Sequence, residues 1–254
     1  MTRLGRVVVL GAIIEVGSWV LATLLRPGSW RYNISDLYSA GAPRPWLVMA
    51  GEAAFSLGLA VLVFGLHRSL TPGDHRMVGC ALLALASIGV MAGAVARNSC
   101  EESVLRCEGR AFATAGDWVH GIGSLAEILG IAGAALVLTP TLPRRWATYS
   151  ATTGCTVLLA VFVWGAVPYP WVGTAERLLA LLLVGWAAAL GTRIASGPAA
   201  ATGITVEAET APAERRELAR RLSEPGSSQI TESSRSLSWS CEPGIAVNTS
   251  RDWD

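Results

Sequence analysis

The chain has 254 residues, is 52% hydrophobic with a mean hydropathy of +0.44, and carries only 15% charged residues. Soluble domains usually carry about 25% charge, so the composition excludes an ordinary water-soluble globular protein. The formal net charge of +1 and the lack of a basic patch interleaved with aromatics argue against a nucleic-acid partner. Every basic residue is arginine; with so much Ala, Gly, Leu and Val, this codon usage points to a GC-rich bacterial genome.

Apolar runs alternate with short polar loops, and each run is close to the about 20 residues that a bilayer core requires. They predict helices over 7–25, 46–66, 78–96, 118–138, 149–167 and 174–194. The expected fold class is therefore all-α, a polytopic bundle of six transmembrane helices within residues 1–197. A polar cytoplasmic tail, 198–254, follows and is expected to be disordered, because it buries too little apolar surface to offset ordering. Within it, 212–224 has the composition of a short charged helix, read here as a solvated face.

Span one follows Arg3 and Arg6, as a signal-peptide core would. Its length, the interruption at Glu15 and the lack of a small-residue cleavage site read instead as an uncleaved helix. The next loop brings Asn33, Ser35 and Asp36, and span two opens at Trp46 with Glu52 in its first half. Trp30, Trp46, Trp118 and Trp171 fall at or beside span ends on the side opposite the N-terminus, the depth at which amphipathic rings settle. Gly116, Gly123, Gly130 and Gly133, in or near span four, read as packing positions for close helix approach. Pro140, Pro143, Pro168 and Pro170 stop helices from running on. Two Asn-x-Ser/Thr-like triplets, at 33–35 and 248–250, are read as chance matches.

Orientation is not decided by arginines. Arg3, Arg6, Arg68, Arg76, Arg144, Arg145 and Arg193 lie on the N-terminal side, and Arg26, Arg31, Arg44, Arg97, Arg106, Arg110 and Arg177 on the other, so the positive-inside rule balances. Cys100 and Cys107 share the loop between spans three and four. If they pair, that loop faces an oxidising compartment and both termini are cytoplasmic in the cell membrane; two free thiols are the alternative. Cys80, Cys155 and Cys241 are then unpaired near the inner side.

Ionisable residues inside spans cost about 2.5–3.5 kcal/mol each at mid-membrane on insertion scales, which marks each as a functional candidate. Glu15, Glu52 and Glu127 qualify. On span four Asp117, His120, Ser124 and Glu127 recur every three to four residues, along one helical stripe. Glu176-Arg177 opens span six. With Asp36 and Ser35, these groups predict one outward-facing polar pocket, floored by Glu15.

Several chemistries fit such a set. The leading one is a small-molecule, lipid or ion binding or transport-like role, with the glutamates holding a cation or relaying protons. A lipid-directed hydrolase would use His120 as base, oriented by Asp117 or Glu127, with Ser35 or Ser124 as nucleophile; no nucleophile motif accompanies them. A multi-histidine zinc site is not expected, since His67 and His75 belong to the opposite loop, and neither metal nor other cofactor is expected. Alternatively, the charges only pin helices together, Arg177 pairing with an acid on span two or four. The expected partners are the bilayer and a lipid or ion ligand; oligomeric state is not legible.

The stretch Tyr32-Asn33-Ile34-Ser35-Asp36-Leu37, then Gly41-Ala42-Pro43-Arg44-Pro45-Trp46, resembles the signature of the domain of unknown function 998 family, bacterial membrane proteins of about six spans. His120 near the start of span four and Ala175-Glu176-Arg177-Leu178 opening the last span are similar to that family too, and the resemblance covers about residues 5–195. Tyr38 departs from it, standing where the family more often has glycine. The resemblance implies that Ser35, Asp36, His120, Glu176 and Arg177 belong to one recurring pattern, and it names no ligand.

Overall fold

The computed structural model describes residues 3–101, 112–168 and 171–195. The tail with its 212–224 segment, Cys107 and Cys241 lie outside the described residues. Among the described residues the regular structure is helical throughout: α1 (Arg3–Leu24), α2 (Pro45–Ser69), α3 (Asp74–Val95), α4 (Ala115–Val137), α5 (Arg144–Val163) and α6 (Val172–Ala195), joined through short 3-10 turns. All six are long and apolar enough to cross a membrane.

Local chemistry sets the helix starts. Pro45 occupies the first turn of α2, where its missing N–H would be unpaired anyway. Helix α4 opens on a capping box: Thr114 Oγ1 accepts from the Asp117 amide at 3.3 Å, and Asp117 Oδ2 accepts from the Thr114 amide at 2.8 Å. Helix α5 begins at Arg144 rather than at 149. Its charged first turn is too polar for hydrocarbon, yet it is helical from Arg144 onward, and a hydropathy reading misses it.

The six helices pack α1 on α2 and α6, α2 on α3, α3 on α4, and α4 on α5. Lipid tails are as apolar as leucine, so packing between spans relies on close approach. At the α3–α4 crossing a Cβ on Gly89 would stand 2.4 Å from the Gly123 carbonyl oxygen, and one on Gly123 would stand 2.7 Å from that of Gly89. The core runs through Phe55, Leu59, Leu62, Leu83, Ile131 and Trp186. Outward faces are apolar too, with Phe162 87% exposed, as a lipid-facing surface requires.

The connections α1–α2, α3–α4 and α5–α6 meet at the end of the bundle away from the N-terminus, here the distal end. Ala40 N donates to Asn98 O at 2.8 Å, the Arg26 guanidinium pairs with Glu101 at 2.8 Å, and the Trp30 and Trp171 rings meet edge-on at 6.4 Å. The bond to Glu101, above all, holds the Arg26 guanidinium above its ordinary pKa. The α1–α2 connection folds back as a plug. Ile34, Leu37 and Tyr38 are buried against Trp19, Ala22 and Val48, and Gly28 (φ 86°) and Gly41 (φ 107°) make the left-handed turns on either side.

Candidate functional site

The plug places a residue whose role the sequence does not suggest. Tyr38 follows the 3-10 turn Ser35–Leu37 and is 3% exposed. Its hydroxyl lies 3.4 Å from Nδ1 of His120, with the rings 5.6 Å apart and edge-on. Gly93 of α3 covers the pair: a Cβ there would stand 3.8 Å from the Tyr38 hydroxyl and 3.9 Å from His120 Nδ1. Burial, followed by the fields of Glu52, Glu127, Glu176 and Glu15, holds the Tyr38 phenol well above its ordinary value of 10.0. One buried hydroxyl thus sits within electrostatic reach of four carboxyl groups carried by α1, α2, α4 and α6.

The three mid-span acids lie within electrostatic reach of one another, Glu15 of Glu127 and Glu52 of both. Glu15 is 5% exposed, and its Oε2 is enclosed without a hydrogen-bond partner. It abuts α2, where a Cβ on Gly51 would stand 2.9 Å from it. One turn on, the Trp19 indole N–H is likewise enclosed and unpartnered. Glu52 and Glu127 are half-buried. Ionised carboxylates within electrostatic reach in a low dielectric repel one another, so the cluster is stabilised by any proton or positive group it takes up.

The other predicted residues have structural partners. Asp117 lies on the α4 stripe with His120 but does not orient it. Its carboxylate accepts from Ser99 N (2.6 Å), Ser99 Oγ (3.0 Å), Thr114 N (2.8 Å) and Thr114 Oγ1 (2.8 Å). His120 bonds instead to Tyr38 and to the backbone of Gly93 and Ala96. Neither Ser35 nor Ser124 is among its hydrogen-bond partners. Ser35 opens the plug's second turn, Asp36 is fully buried in it, and Ser124 is half-buried on α4.

Arg177 also departs from expectation. It pairs with no acid on α2 or α4. Nη1 donates to the carbonyl oxygens of Gly173 (2.7 Å), Tyr32 (2.8 Å) and Trp30 (3.3 Å), and Nη2 to Thr23 Oγ1 (3.1 Å) and Ser29 O (3.3 Å). It pins the plug through its backbone. Glu176 does the same from the acceptor side, taking the Ile34 N–H on its carboxylate. Cys100 is disulfide-bonded, while Cys80 and Cys155 are free; Cys107, its expected partner, is outside the described residues. Among the described residues, no group of three or more His, Cys, Asp or Glu side chains is arranged to hold a metal ion.

Residues 9–193 match the family model described as protein of unknown function, DUF998. The chain belongs to the DUF998 family. No curated protein and no solved structure matches it. The match spans the plug, the α4 stripe and the start of α6. In this DUF998 chain, His120, Glu176 and Arg177 all act on the α1–α2 plug, by way of Tyr38, Ile34 and the carbonyls of Ser29 to Tyr32. Sequence reasoning misses Tyr38, Trp19, Ser99 and Thr114. Only Thr114 had a signal, its capping-box spacing to Asp117.

Proposed function

We propose that this DUF998 protein is a cell-membrane protein with a binding or transport-like role, taking up a proton or a small ammonium compound in the acidic pocket beneath Tyr38. The observation that carries the reading is the buried Tyr38 hydroxyl with four carboxyl groups in electrostatic reach, while the guanidinium at the same level, Arg177, is committed to carbonyl oxygens. Glutamates retained only for helix packing would be expected to hydrogen-bond across the interface; Glu15 Oε2 and the Trp19 indole do not. The carboxyls are not grouped as metal ligands, which favours a proton or a larger organic cation over a dehydrated metal ion. The disulfide at Cys100 supports a distal end facing the oxidising side, with both termini cytoplasmic.

The test is melting of the purified full chain across pH and against a panel of primary and quaternary ammonium compounds. The wild type should show a pH- or ammonium-dependent shift that Glu52→Gln and Glu127→Gln lose while folding normally. Equal responses in the wild type and both variants would reject the pocket as a site.

A further inference from the structure

The opposite, N-terminal end of the bundle has a different electrostatic character. Among the described residues it carries seven arginines against one acid, Asp74. Two of those arginines come together: Arg145 in the first turn of α5 and Arg193 near the end of α6 lie within electrostatic reach of each other, and no carboxylate contributes to the field at Arg193. Nη1 of Arg193 is enclosed and has no hydrogen-bond partner. Two guanidiniums within electrostatic reach of each other repel, and an anion bound by both would offset the repulsion and give the unspent donor an acceptor.

Position selects the anion. Arg145 and Arg193 bound the apolar stretches of their helices, so both sit at headgroup depth. Beside them Trp146 and the exposed Tyr149 meet edge-on with ring centroids 6.2 Å apart, the amphipathic aromatics typical of a membrane interface. Helix α5 buries Ser150, Thr153, Gly154 and Val157 and packs Trp146, Ala147, Ala160 and Val161 against the core. Its outer face is exposed at Tyr149 (40%), one turn from Arg145, and again at Leu159 (62%), about 20 Å along the helix from Arg145, and is open to acyl chains. Guanidinium matches phosphate through paired N–H donors, and basic sites between spans at a membrane surface take anionic headgroups.

We propose that Arg145 and Arg193 form a site for the headgroup phosphate of an anionic phospholipid at the α5–α6 seam. The site is independent of the acidic pocket at the distal end. It is tested on the full chain in bilayers of phosphatidylcholine alone or mixed with phosphatidylglycerol, reading melting temperature and retained lipid by native mass spectrometry. Phosphatidylglycerol should raise wild-type melting and be retained preferentially. Arg145→Gln removes an exposed side chain, so the fold should persist. In pure phosphatidylcholine this variant should melt at or above the wild type, because a like-charge pair has been relieved. Its retention of phosphatidylglycerol should fall about tenfold, as loss of one charged hydrogen bond implies. Arg68→Gln, at the same end on α2, should keep the full response. The proposal is overturned if Arg145→Gln keeps the phosphatidylglycerol response or Arg68→Gln loses as much. It is equally overturned if phosphatidylcholine matches phosphatidylglycerol, or if inorganic phosphate in phosphatidylcholine reproduces the whole effect.

Discussion

Replacing Arg177 by alanine should loosen the plug without touching an acid. Of its five hydrogen bonds, those to Gly173 O (2.7 Å) and Tyr32 O (2.8 Å) are short enough to count fully. Bonds from a charged donor contribute about 1.5–3 kcal/mol each. Arg177 is half-buried, so water can replace part of what is lost, and the lower figure is the one to use. Two bonds at that figure give a loss of about 3 kcal/mol. At roughly 2–4 °C per kcal/mol for a chain of this size, melting in detergent should fall by about 6–12 °C. Arg177→Lys separates this account from an ion pair. A single ammonium cannot serve acceptors on both sides of the guanidinium fork, so lysine should recover about half of the loss, about 1.5 kcal/mol on the same scale. Full rescue by lysine, or alanine melting like the wild type, would refute the reasoning.

Two other outcomes follow from the geometry. Gly89→Ala and Gly123→Ala each drive a methyl into a backbone carbonyl oxygen, at 2.4 and 2.7 Å, and should cost at least about 1–3 kcal/mol in melting experiments. Gly185→Ala meets nothing within 4 Å and should be neutral or stabilising by about 0.4–1 kcal/mol; equal effects at the two kinds of site would undo the close-crossing account. Tyr38 gives an alkaline signature. Its folded-state phenol titrates above the ordinary 10.0, so between those values the folded protein holds a proton that the unfolded chain has released, and stability falls as pH rises. Tyr38→Phe should flatten that fall above pH 10.0, and identical alkaline melting curves for the wild type and Tyr38→Phe would place the phenol in contact with solvent.

Which features can be read from sequence depends on the range of the interaction. The helices are legible because a lipid-facing run announces itself by hydropathy, residue by residue; the polar first turn of α5 is missed for the same reason. Glu15, Glu52 and Glu127 are legible because charge within such a run is costly. Arg177 misleads, since nearby acids suggest an ion pair while its actual acceptors are backbone carbonyls, which every residue carries and no sequence marks. Asp117 misleads differently. Thr114-x-x-Asp117 is the spacing of a capping box, yet its place on the His120 stripe reads as a pocket acid. Tyr38 could not be found at all, because only the folded path of the plug decides which of its side chains enters the bundle.

The acids and the closest helix crossings are not separate features of the bundle. Glu15 lies against Gly51, and the amide of Glu127 lies where a Cβ on Gly89 would come within 3.0 Å. Glu127 is therefore held where two backbones have no room to slide, while Glu15 and Ser18 fill the space over Gly51 with side chains. Interiors packed this closely switch between discrete arrangements rather than deform smoothly, so helix shifts are a poor way for this pocket to adapt to a ligand. Adaptation falls to the carboxyl side chains, two of which are half-buried, since the plug too is seated backbone against backbone, at Tyr32 and Gly173. A ligand entering beneath Tyr38 should accordingly change the carboxyl side chains and the 3.4 Å Tyr38–His120 contact before it changes any helix, making the Tyr38 phenol a reporter of occupancy.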